Sequence, residues 1–264
     1  MVDDQITFSF GKNWSEFVQD VTENDVSRAI ADINYWLGEG AVANQRVLDI
    51  GSGSGIHSLS FWKLRAATVY SFDYDEFSVK ATRKLHESAG CPANWSVEQG
   101  SILDSDYVRS LGNFDIVYSW GVLHHTGSMW EAVDNAFGLV APGGKVWISL
   151  YAKGDRYEDD LKLKRQFNSA STMGKQMLVA RRVLRIMLSR IRHGKNPFAW
   201  NEKLPRGMNV YHDIIDWLGG LPYETASEDE VVRFARRRNF TLERIMVAPE
   251  GGCSVYVFSS ANRS

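Results

Sequence analysis

Residues that build disulfide frameworks and cysteine-based metal sites are scarce in this sequence. Two cysteines, Cys91 and Cys253, occur among 264 residues, so neither a disulfide framework nor a metal cluster is expected, and a reducing compartment is favoured. No apolar run approaches the roughly 18 residues that a transmembrane helix needs. The first residues, MVDDQITFSFGKNW, lack the apolar core of a signal peptide. The expectation is a soluble, cytoplasmic protein without a bound metal.

Charge is nearly balanced over the whole chain but is unevenly distributed. The net charge is −2, whereas residues 162–206 contain twelve Lys or Arg and a single acidic residue, Glu202. This segment therefore carries about +11 and the remainder about −13. Because 44% of the residues are hydrophobic and 23% are charged, the composition is that of a globular protein rather than a disordered one.

Short apolar runs rich in β-formers alternate with helical patterns through the first half of the chain. The runs are RVLDI (46–50), ATVYSF (67–72), NWSVEQ (94–99), FDIVYSW (114–120) and KVWISLY (145–151). Helical patterns of about ten residues lie between them, which is typical of βαβ units. The sequence therefore predicts an α/β protein with a parallel sheet.

The C-terminal part follows a different pattern. A helix is predicted over 228–239, and the strand-like runs FTLERIMV and CSVYVFSS flank APEGG, which predicts an antiparallel hairpin. About 75 residues separate Tyr151 from Ser227, too many for an ordinary connection. We expect them to form a helical insertion over the carboxyl ends of the strands, where α/β proteins bind ligands.

A glycine-rich loop, VLDIGSGSG, follows the first predicted strand. Gly51, Gly53 and Gly55 let the backbone approach a ligand, and the next helix offers free N–H groups. A dinucleotide fingerprint, G-x-G-x-x-G, would require glycine where Ile56 stands. The spacing is instead G-x-G-x-G, with Asp49 two residues before the first glycine. This weakens the interpretation as a nicotinamide-dependent oxidoreductase, which stays an alternative.

At these residues the sequence resembles the class I, Rossmann-like S-adenosylmethionine-dependent methyltransferases, and in particular bacterial enzymes acting on small molecules. The resemblance runs from Arg46 to Leu150 and resumes in the terminal hairpin. It implies a doubly wound, mostly parallel seven-stranded sheet that ends in an antiparallel hairpin, with a helical cap inserted after the fifth strand. It also implies S-adenosylmethionine as cofactor and methyl transfer to a small-molecule hydroxyl or, as an alternative, an amine.

The same resemblance implies that the chain is divided into three parts. Residues 45–151 and 227–264 would form the cofactor-binding domain, residues 152–226 the substrate-facing cap, and residues 1–44 a helical lid segment. Trp14 of the lid is a predicted substrate contact, with ordinary helix packing as the alternative. A non-catalytic scaffold is disfavoured because the acidic and glycine positions of the motifs are intact.

Cofactor contacts follow residue by residue from the family pattern. The resemblance places Asp49, Gly51, Ser52 and Gly53 around the methionine end of the cofactor. Gly55 would allow close packing of helix on strand. Asp73, 22 residues after Gly51, would bind the ribose hydroxyls, since a carboxylate accepts from two vicinal hydroxyls. Near the adenine and the end of the fourth strand, it places Tyr74, Ser101, Ile102, Ser119 and Trp120.

Each of these assignments has a structural alternative. Asp49 could cap the glycine turn, and Tyr74 could serve packing only. Asp73 could be the N-cap of the following helix, although Asp75 suits that role better.

Adjacent histidines in SWGVLHHTG are the most conspicuous candidates for proton transfer. The resemblance places His124 and His125 at the outlet of the fourth strand, where they are more typical of architecture than of a dedicated base. A direct catalytic role, with His125 ahead of His124, stays an alternative.

The cap offers a second set of candidates. His212, flanked by Tyr211 and Asp213, is a candidate base, and Tyr211 and Trp217 are candidate substrate contacts, as is Tyr151 at the end of the fifth strand. Tyr223 could line the same pocket. The alternative is that these aromatic residues anchor the cap and that His212 caps a helix.

Residues 173–192 form a basic amphipathic pattern. Met177, Val183, Leu184, Met187 and Ile191 share one helical face, whereas the lysine and arginines lie mainly on the other. The pattern predicts contact with a membrane surface or an anionic partner, with a solvated outer face as the alternative. Nucleic acid is not expected, because the basic stretch is a single helix and the net charge is slightly negative.

Overall fold

A seven-stranded sheet with the order β3-β2-β1-β4-β5-β7-β6 organises the molecule. The computed structural model describes residues 21–198 and 210–261, and the side chains of 210–213 stand outside that description. The strands are β1 Arg46–Ile50, β2 Thr68–Asp73, β3 Trp95–Gln99, β4 Phe114–Trp120, β5 Val140–Tyr151, β6 Phe240–Met246 and β7 Cys253–Ser260. Strands β1 to β5 pair in parallel, whereas β7 runs antiparallel to both β5 and β6. The predicted fold is confirmed.

Helices cover both faces of the sheet and extend beyond its edge. They are α1 Glu23–Leu37, α2 Ile56–Lys63, α3 Glu76–Ser88, α4 Ser105–Leu111, α5 Met129–Gly138, α6 Tyr157–Ser169, α7 Thr172–Arg192, α8 Val210–Gly219 and α9 Glu228–Arg237. Sequence signals mark several starts: Thr22 and Asp25 form a capping box before α1, and Ser227 and Glu230 form one before α9.

The core consists of one apolar layer on each side of the sheet. Strand β1 contributes to both, since Leu48 and Ile50 join the layer under α5 and α9, whereas Val47 joins the layer under α1 and α2. Burial on both faces explains why the central strands are almost uninterrupted apolar runs. Parallel pairing of β1 with β2 and with β4 places the carboxyl ends of these three strands side by side.

Helices α6, α7 and α8 form the cap that follows β5. They pack through a cluster of Phe167, Val179, Ile214 and Leu218, and a parallel bridge between Ala152 and Ala226 joins the two ends of the insertion. The boundaries proposed for the three parts of the chain stay predictions. Within residues 21–198 and 210–261, no helix combines the length and apolar character required to cross a bilayer.

Candidate active site

A cavity of about 920 Å³ lies between the carboxyl ends of the parallel strands and the cap. The glycine loop after β1 and the turns after β2, β3 and β4 form its floor. Cap residues Asp216, Trp217, Leu221 and Pro222 and the β6–β7 turn close its other end. This is the position expected for a ligand site in a doubly wound sheet.

The glycine loop is held against β2 by backbone hydrogen bonds. The N–H groups of Gly51 and Ser52 donate to the Phe72 carbonyl at 2.8 and 3.1 Å. Gly51 has φ +74°, and a Cβ there would lie 2.4 Å from a methyl group of Val122. Glycine is therefore required at position 51 both by its backbone conformation and by the close approach of the β4 outlet.

Asp73 ends β2 and lies at the wall of the cavity. Its Oδ2 accepts from the Gly53 N–H at 3.0 Å and its Oδ1 from the Asp75 N–H at 2.9 Å. Burial raises the pKa of this carboxyl to about 6 against the opposing effect of those N–H donors. Asp75 is the N-cap of α3, accepting from the Phe77 N–H at 2.8 Å, so the capping alternative for Asp73 does not hold.

Other predicted cofactor contacts lie along the same wall. The residues that line it are Asp49, Ser52, Gly53, Tyr74, Ser101, Ile102 and Trp120. Asp49 is buried and accepts a hydrogen bond from the Ser58 hydroxyl. Tyr74 is 72% exposed, so it is available to a ligand and does not serve core packing.

Two of the predicted positions face elsewhere. Ser119 is fully buried and is absent from the cavity wall, because its hydroxyl donates to the Ile50 carbonyl at 3.0 Å and joins β4 to β1. Gly55 allows close packing, but against a helix and not a strand: a Cβ there would lie 2.9 Å from Thr82 Cα in α3. Both are corrections to the sequence-based assignments.

His124 and His125 lie in a short 3₁₀ turn, Leu123–His125, and both line the cavity. His124 is fully buried and its Nδ1 accepts from the Tyr151 N–H at 3.3 Å. His125 Nδ1 lies 2.6 Å from the Pro222 carbonyl, which requires the proton on Nδ1. Burial lowers the pKa of His125 to about 3 and holds that of His124 well below its usual range. Both rings are therefore neutral at physiological pH.

Residues 222–224, which follow the last cap helix, hold this turn in place through hydrogen bonds. The Glu224 N–H donates to the His124 carbonyl at 3.1 Å. The Glu224 carboxylate in turn accepts from the Met129 N–H at the start of α5. With the bond from His125 to Pro222, these contacts fix the β4 outlet to the cap.

A buried lysine lies at the centre of the cap and was not anticipated from the sequence. Lys164 has no exposed surface, and its ammonium group lies 4.5 Å from the ring centroid of Trp217 and 4.6 Å from that of Tyr223. It donates to the Trp217 carbonyl and lies 5.6 Å from the Tyr151 ring. Burial lowers the pKa of Lys164 to about 7. Lys164 thus sits behind Tyr151 and Trp217, which line the cavity.

An acidic residue of the cap was also missed. Asp216 in α8 is buried and lines the cavity beside Trp217. It lies three residues after Asp213, close to one helical turn, and this spacing was the available signal. The side chains of Tyr211, His212 and Asp213 stand outside the described part of α8, and Trp14 lies outside the described residues.

Known proteins resemble this chain in sequence. The methyltransferase-domain family profile matches residues 41–209. A tRNA U34 carboxymethyltransferase of Methylococcus capsulatus (strain Bath) is 30% identical over 129 residues, which are 47% of this chain and 39% of that protein. A ubiquinone biosynthesis O-methyltransferase of Pseudomonas aeruginosa is 30% identical over 128 residues, 46% of this chain and 53% of that one. The chain spans between about four tenths and one half of the length of these relatives.

Solved structures share the fold. The magnesium protoporphyrin IX methyltransferase of Synechocystis PCC 6803 with bound S-adenosylhomocysteine superposes with a TM-score of 0.57 at 14% identity, covering 96% of this chain and 95% of that one. An O-methyltransferase family protein of Burkholderia thailandensis gives a TM-score of 0.56 at 15% identity, over 90% of this chain and 57% of that one. Because tRNA enzymes are among the sequence relatives, the expectation that nucleic acid is excluded has no support from them.

Proposed function

This chain belongs to the methyltransferase family whose profile covers residues 41–209, and we propose that it transfers the methyl group of S-adenosylmethionine to a hydroxyl group of a small molecule. The observation that carries the proposal is one cavity with two unlike ends. One end consists of the glycine loop and Asp73, and the other of aromatic and acidic cap residues. Family membership favours this reaction over the nicotinamide-dependent alternative.

The residues at the first end fit S-adenosylmethionine. Gly51 and Gly53 both have positive φ, and Val122 occupies the space that a Cβ at Gly51 would need, so this conformation of the cavity-lining loop requires glycine at position 51. Asp73, Tyr74, Ser101 and Ile102 line the cavity; we propose that the Asp73 carboxylate binds the ribose hydroxyls and that the other three contact the adenine ring. When bound, the cofactor supplies an electrophilic methyl group on a sulfonium.

The opposite end suits a flat or apolar acceptor. Tyr151 and Trp217 offer aromatic faces, which also favour a nearby cation. Their orientation is fixed from behind by the Lys164 ammonium group and by a hydrogen bond from Trp217 Nε1 to the Gly251 carbonyl at 3.2 Å. Holding the acceptor in line with the methyl group lowers the activation free energy through positioning alone.

Asp216 is the base that we assign to an acceptor hydroxyl. It is a buried acidic side chain at the acceptor end of the cavity, and a proton must leave the hydroxyl as the new bond forms. His125 is a poor base at neutral pH, because its pKa is about 3 and its Nδ1 proton is committed to Pro222. We therefore propose positioning roles for His124 and His125, and His212 with Asp213 stays the alternative base.

Labelled-methyl transfer across acceptor pools tests this function. Pools of phenolic and aliphatic alcohols, of amines and of bulk tRNA separate the acceptor classes, and anionic and lipid-linked alcohols belong in the first pool. We expect transfer to alcohols, with kcat lowered about 100-fold in Asp216→Asn and affinity for S-adenosylhomocysteine within about twofold of the wild type.

The matched control is Asp229→Asn, which changes an exposed acidic residue in the first turn of α9 and should leave kcat unchanged. Transfer to tRNA or to amines with none to alcohols would overturn the acceptor assignment. Equal rates for Asp216→Asn and the wild type would instead remove Asp216 as the base.

A further inference from the structure

Helix α7 exposes a continuous apolar stripe. Its members are spaced three, four or seven residues apart, and the large ones are Met173, Met177, Leu184, Leu188 and Ile191. Their exposed fractions are 72, 67, 55, 57 and 58%. Large apolar side chains that are singly exposed need no explanation, but a stripe running the length of a 21-residue helix does.

The opposite side of the same helix already provides its packing. Val179 is buried in the cap cluster with Phe167 and Ile214, and Leu178, Val183 and Ile186 pack partly buried around them. The helix therefore has two apolar faces, and among the described residues only one of them is packed against other elements. Met177, Leu184 and Ile191, which the sequence pattern groups together, belong to the exposed face. The same grouping is wrong for Val183, which packs against the cap cluster on the other face.

Positive charge borders the exposed stripe. Arg181, Arg185 and Arg192 are exposed and are spaced four and seven residues apart, so they form a second stripe beside the apolar one. The helix also contains Lys175, Arg182 and Arg190 and no acidic residue. Its charge is +6, whereas the remainder of the chain carries −8, since the whole chain carries −2.

We infer that this face of α7 docks on a membrane surface that contains anionic lipid, with the helix axis parallel to the surface. An apolar stripe enters the boundary between headgroups and acyl chains, while adjacent arginines pair with anionic headgroups. Charge complementarity selects this occupant, because a second copy of the helix would bring two arginine stripes together.

Helix α7 also contacts the acceptor end of the cavity, on the side opposite the docking face. The Arg182 guanidinium group lies 4.3 Å from the Trp217 ring centroid, and Trp217 lines the acceptor end of the cavity. Docking would therefore leave that end about one helix diameter, ~10 Å, from the lipid. Delivery of an acceptor from the membrane rests on the proposed function, whereas docking itself does not.

Co-sedimentation with vesicles tests the inference without reference to methyl transfer. We expect the full chain to pellet with vesicles of phosphatidylcholine plus phosphatidylglycerol, not with phosphatidylcholine alone, and to be released as ionic strength rises. Leu184→Ser with Leu188→Ser, and separately Arg181→Gln with Arg185→Gln, should each lower the partition coefficient about tenfold or more.

Matched controls remove the same kinds of side chain elsewhere in the molecule. Arg236→Gln with Arg237→Gln removes two exposed arginines from α9, and Met246→Ser removes a side chain on β6 that is 50% exposed; both should bind like the wild type. Equal binding to neutral vesicles, or equal losses in controls and α7 variants, would overturn the inference. A concentration-dependent dimer that the α7 variants abolish, with no vesicle binding by the wild type, would assign the face to self-association instead.

Discussion

The two ends of the cavity are held in place by different means. At the cofactor end, the bond between Gly53 and Asp73 joins residues 20 positions apart. The same loop is held by backbone contacts with the next strand and by the Thr82 hydroxyl of α3, 29 and 30 positions from its partners Gly53 and Ser52. At the cap end, His125 reaches Pro222 over 97 residues, and Met129 reaches Glu224 over 95. The first end depends on backbone conformation within a motif, and the second on side chains that meet only after the whole fold has formed.

Gly51→Ala should produce the largest effect, and it acts on the cofactor end alone. A Cβ at this position combines a positive φ with overlap of the Val122 side chain, so the loop must move away from the place where it meets the ligand. We expect affinity for S-adenosylhomocysteine to fall at least about 100-fold by isothermal titration calorimetry, with far-ultraviolet circular dichroism unchanged.

Gly40→Ala is the control that separates backbone strain from side-chain overlap. Gly40 has the same φ of +74° but no atom within 4 Å of an added Cβ, so it carries the backbone strain without the overlap. Its affinity should match that of the wild type. If both variants lose the ligand, global destabilisation and not the loop geometry explains the result.

The separation of contacting residues along the chain also decides what the sequence alone could predict. The strand order, the glycine loop and Asp73 follow from motifs whose residues are close in sequence. The strand order is confirmed, and the glycine loop and Asp73 line the cavity, while their contacts with a cofactor stay predictions. Lys164 gave no signal, because within a strongly basic stretch a lysine is indistinguishable from a solvated one until the aromatic residues around it are brought together. Ser119 was misassigned because strand periodicity does not reveal that its hydroxyl bonds to the neighbouring strand.

Asp73→Asn should have the second largest effect and a distinct dependence on pH. Its pKa of about 6 means that the wild-type carboxylate is charged above that pH and becomes protonated below it. Affinity for S-adenosylhomocysteine should therefore fall in the wild type as pH decreases from 7.5 to 5. In Asp73→Asn it should be about 30-fold weaker at pH 7.5, since hydrogen bonds to a charged group are lost, and the pH-dependent step should disappear.

Asp104→Asn is the control for Asp73→Asn. Asp104 is the N-cap of α4 and lies outside the cavity wall, so its affinity and pH dependence should follow the wild type. A pH step that persists in Asp73→Asn would assign the titration to another group.

Lys164→Met should have the smallest effect, and it tests whether the two ends are independent. We expect kcat/KM for the acceptor to fall several-fold, because Tyr151 and Trp217 lose the amino group that lies against their rings, while affinity for S-adenosylhomocysteine is unchanged. A parallel loss of cofactor affinity would show that the cap also supports the glycine loop, so the two ends of the cavity would not be independent.

The difference in stability between Lys164→Met and the wild type should also depend on pH, and the lowered pKa of the buried Lys164 sets the sign of that dependence. The folded pKa of about 7 lies below the ordinary 10.5, so between these values the unfolded chain binds a proton that the folded chain releases. Through this residue, wild-type stability rises with pH across that window, whereas methionine contributes no such rise. The Tm of Lys164→Met minus that of the wild type should therefore decrease from pH 6.5 to 9.5. Lys80→Met, at an exposed lysine, should show no trend, and a flat difference for Lys164→Met would mean that this lysine stays protonated inside the cap.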